Sequence, residues 1–163
     1  IYVGSLSKVL APGLRVGYLV ASKEIINQCA AEVMLIDRQG NSVTELAVAT
    51  LLESGEIKRH IRRTLKVYNE RRNILIDLLK NELGEFVNFD SPNGGLAIWL
   101  RLNDGIEIDK LVQNALHEKV KILPAALFSE SLLDINAIRL GFGSLNTNEL
   151  TTGIQRLKRA FNL

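Results

Sequence analysis

The stretch YVGSLSKVLAPGLRVGY, from Tyr2 to Tyr18, decides the reading of this chain. Ile1–Val3 reads as the end of a strand, and Gly4, Ser5 and Ser7 make the small polar turn that follows one. Pro12 and Gly13 form a second turn. Arg15–Ala21 then has the β-branched and aromatic character of a buried strand of normal length. A guanidinium inside an apolar strand calls for an anionic partner. Arg15 with the hydroxyls of Ser5 and Ser7 makes a small phosphate cradle, because guanidinium offers paired donors to phosphate oxygens. Lys8 is either an ordinary surface charge or, beside such a cradle, an amine able to form a Schiff base with a carbonyl cofactor. The three ingredients together suggest pyridoxal phosphate. Ser5 and Lys8 also have the Ser-x-x-Lys spacing of penicillin-recognising enzymes, but the companion motifs of that class are missing.

Bulk properties remove other classes. The chain has 163 residues, 20 Lys+Arg against 18 Asp+Glu, and a formal charge of +2. That balance excludes a basic nucleic-acid binder recognisable by charge and an acidic disordered tail. Hydrophobic residues at 47% suffice for a sizeable core. The lone Cys29 excludes an internal disulfide framework, and with only His60 and His117 no metal site is expected. No apolar run approaches the roughly 20 residues of a membrane span. A cytoplasmic setting fits. The chain opens on isoleucine, so it reads as a portion of something longer.

Working outward, Ser22 caps a helix over Lys23–Leu35 with Ile25, Ile26, Ala30 and Val33 on one side and Cys29 packed within. Ser42 and Glu45 have capping-box spacing before a helix that runs to Leu52 and stops at Ser54 and Gly55. Glu56–Leu83 lacks Gly and Pro and repeats apolar residues at helical steps. At 1.5 Å per residue it spans roughly 40 Å, enough to cross between domains. Its basic set, His60, Arg62, Arg63, Lys66, Arg71 and Arg72, reads as a solvated face. Beyond Gly84 the pattern predicts strands over 85–89, 96–102, 120–123 and 136–142. Helices are predicted over 108–118, with Leu111, Val112, Ala115 and Leu116 inward and His117 on the surface, and after an Asn146–Glu149 capping pair. The order β-β-α-β-β-α is a small layered α/β domain.

Residues 2–18 resemble the cofactor-lysine segment of fold-type-I aminotransferases of class I/II. The subgroup most resembled is 2-aminoadipate-aminotransferase-like, together with the aminotransferase-like domains of MocR-type regulators. The resemblance continues through Gly55–Arg63, Tyr68–Arg72, Pro92–Leu96 with Trp99, Pro124 and Ile138–Phe142. It implies that Lys8 binds the cofactor aldehyde and moves the substrate α-proton. Ser5 and Arg15 match phosphate-binding positions, with Ser7 either assisting or shaping the turn. Arg139 matches the arginine for the substrate α-carboxylate, and its apolar neighbours Ile138 and Leu140 favour a buried, partnered role. Asn93 and Gly94 either border the substrate or simply make a hairpin turn. Lys119 and Ala125 stand where the family usually has glycine, which bears on substrate identity.

The fold class implied is the C-terminal part of a fold-type-I transferase with a small two-layer α/β domain. Residues 1–55 would be a remnant of the large cofactor-binding domain, 56–83 a long interdomain helix and 84–163 the small domain. The parent would be a homodimer transferring an amino group from an amino acid to a 2-oxo acid, and this chain alone would be inactive. The alternative parent is a regulator of the MocR type, touching nucleic acid only through an upstream domain.

Overall fold

The computed structural model describes residues 1–38, 40–128 and 135–162. They form two compact units, Ile1–Leu65 and Lys66–Leu163. In the first, strands β1 (Tyr2–Ser5) and β2 (Gly17–Val20) make an antiparallel two-stranded sheet, with Tyr2 opposite Val20 and Ser5 opposite Gly17. Helices α1 (Lys23–Asp37) and α2 (Ser42–Glu53) follow, and α3 (Glu56–Leu83) begins.

Four expectations change here. Arg15 lies outside the strand, closing a 3-10 turn over Pro12–Leu14 with φ 52° and ψ 30°. The chain must reverse to pair β2 with β1, and the left-handed residue makes that reversal. The strand is also open to solvent rather than buried, with Tyr18 and Val20 exposed and only Leu19 half-buried. Ser42 is the first residue of α2, and the cap is Asn41, whose Oδ1 accepts from the Thr44 amide at 3.2 Å. Both residue types cap well, and Asn41 takes the position because its side chain reaches the third amide. Cys29 is exposed on α1, which has no buried residue because nothing among the described residues covers its apolar side.

The second unit holds one core. Strands β3 (Val87–Asn88), β4 (Ala97–Leu102), β5 (Leu123–Pro124) and β6 (Ala137–Gly141) form an antiparallel sheet in the order β3-β4-β6-β5. Helices α4 (Ile108–His117) and α5 (Thr147–Phe161) complete it. β4 alternates as a strand with one buried face must: Ile98, Leu100 and Leu102 are buried, Trp99 and Arg101 exposed. The buried set packs with Leu75, Leu79 and Leu83 of α3, Leu111 and Ala115 of α4, and Leu150, Ile154 and Leu157 of α5. Phe142, fully buried, sits in the same cluster. Leu116 turns outward at 65% exposure. Leu111 and Ala115, four apart, define the inward stripe, and the next position swings off it. His117 is exposed. The β5 strand starts at Leu123, later than the sequence suggests, because Lys119 (φ 62°) and the Val120 amide bonded to Ala115 O at 2.7 Å still terminate α4. No described helix is long and apolar enough to cross a membrane.

Candidate active site

In the first unit the candidate residues gather at one end of the hairpin. β1 ends at Ser5, and Ser7 and Lys8 lie in the turn directly after it. The Leu6 amide donates to Val16 O at 3.0 Å, which ties the lysine turn to the residue after Arg15. Val9 and Leu10 amides both donate back to Leu6 O, at 3.1 and 2.9 Å, winding the chain around Lys8 into a helical turn. The Ser7 amide donates to Ser5 Oγ at 3.3 Å, so the Ser5 hydroxyl proton is free to point outward. Lys8, Ser5 and Arg15 are exposed and Ser7 is half-buried.

The donor set suits a phosphate. Two hydroxyls, an ammonium and a guanidinium share this end, and the first acidic residue in the chain is Glu24. Arg15 in the left-handed region carries a backbone cost of about 1–3 kcal/mol that a residue with a special task can justify. Close backbone approach fixes the hairpin: a Cβ on Gly4 would meet the Tyr18 ring, and one on Gly17 would stand 2.9 Å from Gly4 O. Hydrogen bonding with the Tyr2 side chain, then its charge and slight desolvation, raises the Tyr18 pKa above the usual tyrosine value.

His60, on the solvated face by the sequence reading, has a partner instead. Its Nε2 lies 3.0 Å from Val9 O, one residue beyond Lys8. The spacing to Thr64, one helical turn on, was the available signal, since Thr64 Oγ1 is also 3.3 Å from that nitrogen.

In the second unit, Trp99 and Arg139 are paired across β4 and β6 on the face opposite the core. Arg139 is half-buried rather than enclosed, because its strand face is only partly covered. Its guanidinium lies 5.6 Å from the Phe128 ring centre, within cation–π range. Phe128 also meets Trp99 edge-on at 6.2 Å. Asn93 and Gly94 are exposed in the turn before β4, and Gly95 takes a φ of 84° that suits glycine. Arg71, another of the basic set, is half-buried and donates to Gly143 O.

Comparison with known proteins agrees with these motifs. The family described as aminotransferase class I and II matches residues 1–157. A 2-aminoadipate transaminase of Thermus thermophilus is 32% identical over 98% of this chain and 40% of its own length. An HTH-type transcriptional regulator of Bacillus subtilis, YhdI, is 29% identical over 99% of this chain and 34% of its own. The chain thus spans about two fifths or less of these relatives. Among solved structures, LysN of Thermus thermophilus, an α-aminoadipate aminotransferase complexed with N-(5'-phosphopyridoxyl)-L-leucine, superposes with a TM-score of 0.89 at 30% identity, over 99% of this chain and 41% of that one. The Pyrococcus horikoshii kynurenine aminotransferase gives 0.91 at 29% identity, over 99% of this chain and 40% of that one. The α/β architecture is that of the matching portion of fold-type-I aminotransferases. The chain belongs to the class I and II aminotransferase family.

Proposed function

We propose that this chain is the lysine-bearing portion of a pyridoxal-phosphate-dependent aminotransferase that moves an amino group from an amino acid to a 2-oxo acid. The observation that carries this reading is the Lys8 turn, bonded through Leu6 to the Arg15–Val16 reversal, with Ser5 and Ser7 beside it. Pyridoxal phosphate, when bound, supplies the carbonyl that accepts an amine and a ring that makes an amino-acid α-proton removable. Lys8 Nζ holds the cofactor and later takes and returns that proton. Ser5, Ser7 and Arg15 hold the phosphate by charge-assisted hydrogen bonds. Arg139 takes the substrate α-carboxylate through its planar fork, and Asn93 and Gly94 border the substrate.

On this reading residues 1–55 belong to a large cofactor domain, 56–83 to an interdomain helix and 84–163 to a small domain. The working form is a cytoplasmic homodimer, and the chain alone is inactive. A second reading is supported by relatives of the HTH-type regulator kind, two of which match 99% and 100% of this chain. There the same site senses the cofactor or an amino compound, and DNA is bound by a domain outside this chain.

Borohydride reduction of the full-length protein with pyridoxal phosphate, followed by peptide mapping, tests both. Labelling confined to Lys8 and weakened by Arg15→Ala is expected. An unlabelled Lys8 would overturn the cofactor reading. Amino-group transfer between an amino acid and a 2-oxo acid by the labelled-competent protein marks an enzyme; labelling without turnover marks the sensor.

A further inference from the structure

We propose that His60 is a positioning residue for Lys8, its Nε2–H holding the Val9 carbonyl and so fixing the turn that carries the lysine. This rests on Lys8 being the cofactor lysine.

The protonation state of the contact follows from its neighbours. Thr64 Oγ1 donates its single proton to His60 O at 2.9 Å. What it presents to His60 Nε2, at 3.3 Å, is therefore a lone pair. Val9 O, at 3.0 Å, is likewise only an acceptor. With acceptors on both sides, Nε2 carries the proton and donates. Protonation of Nδ1 leaves that donor in place, so the contact holds whether the ring is neutral or charged.

The bond closes a chain of backbone links. Leu6 N donates to Val16 O, Val9 N donates to Leu6 O, and His60 receives the load at Val9 O. Arg15 precedes the first link and Lys8 precedes the last. One helix residue, 51 positions away from Val9, thereby fixes both the amine and the reversal that presents the guanidinium. Without it Val9 O has no described partner, and the turn is held only by its own backbone bonds. A displacement of about 1 Å at a reacting group can cost roughly a hundredfold in rate.

The test uses the full-length protein loaded with pyridoxal phosphate, as wild type, His60→Leu, His60→Gln and Thr64→Val. Three readouts are taken: borohydride labelling of Lys8, the pH midpoint of the visible absorption of the loaded protein, and kcat and KM where turnover exists. For His60→Leu we expect a shifted midpoint and kcat lowered about ten- to a hundredfold, with KM for the amino donor close to wild type. Glutamine, whose amide N–H can reach the same carbonyl, restores most of both. Thr64→Val stays near wild type, because the Val9 bond remains. Wild-type midpoint and kcat in the loaded His60→Leu protein overturn the inference, even if that protein is less stable, and so does failure of glutamine to rescue. Should His60→Leu not fold, His60→Asn takes its place: its shorter amide does not reach Val9 O, so a midpoint and kcat as close to wild type as those of His60→Gln overturn the inference. An unlabelled wild-type Lys8 instead removes the cofactor reading beneath it.

Discussion

Trp99 and Arg139 are register partners across β4 and β6, and both touch Phe128, one by a ring edge and the other by its guanidinium. The arginine is thus held from one side by an aromatic face. Replacing Phe128 by Leu keeps bulk and removes the ring quadrupole, at a cost of about 0.5–1 kcal/mol. We expect KM for the carboxylate substrate to rise about two- to fivefold with kcat nearly unchanged. Steady-state kinetics on the full-length protein checks this.

Arg15 combines a strained backbone with a proposed ligand role, and glycine separates the two. Arg15→Gly removes the left-handed penalty, so stability should hold or rise by up to about 1 kcal/mol. Pyridoxal phosphate affinity should nevertheless fall at least tenfold, since a charge-assisted phosphate contact is lost. Urea unfolding without cofactor and spectrophotometric titration with it give the two numbers.

Gly4 and Gly17 tolerate a methyl group differently. At Gly4 the new Cβ meets the Tyr18 ring, half exposed and able to swing aside. At Gly17 it meets the Gly4 carbonyl of the paired strand, so the backbone itself must move. Gly17→Ala should cost about 1–3 kcal/mol and Gly4→Ala less. Adding Tyr18→Ala should relieve Gly4→Ala but leave Gly17→Ala unchanged, as a double-mutant cycle by thermal unfolding would report.

Tyr18 gives a pH dependence with a definite sign. Tyr2 raises its pKa, so the folded state holds the phenolic proton more tightly than the unfolded chain. That contribution is complete below the unfolded value of about 10 and disappears as pH rises through the folded pKa. Tyr2→Phe should lower the Tyr18 midpoint in an alkaline ultraviolet titration. An unmoved midpoint contradicts the pairing.

Asn146 and Glu149 form a reciprocal cap on α5, with bonds of 3.0 and 2.7 Å. Asn41 caps α2 through one bond of 3.2 Å. Asn146→Ala should cost about 1 kcal/mol and Asn41→Ala less, measured by urea unfolding.

What could be read from the letters was what local spacing determines. Glu56–Leu83 is helical over the span its periodicity predicts, because no Gly or Pro interrupts it. The Asn146–Glu149 cap is written within four residues. Positions fixed by distant partners were not legible. Arg15 looks like a strand residue until β2 must fold back on β1. The bond from His60 to Val9 O and the stack of Arg139 on Phe128 join different elements, with no local signal beyond Thr64 one turn from His60. Cys29 and Leu116 were misplaced because an apolar letter does not say whether anything lies opposite.

The borders of the larger sheet have a consequence for self-association. Its outer strands, β3 and β5, are two residues long, and β5 ends in Pro124, which has no amide proton to offer. A foreign strand finds almost no ladder to join there, so that border resists templated stacking. The β1–β2 ribbon is the reverse: four residues a side, with Tyr2, Val3, Tyr18 and Val20 bare among the described residues. If this chain forms fibres, their growth should begin at the ribbon beside Lys8, and covering that ribbon should protect the chain.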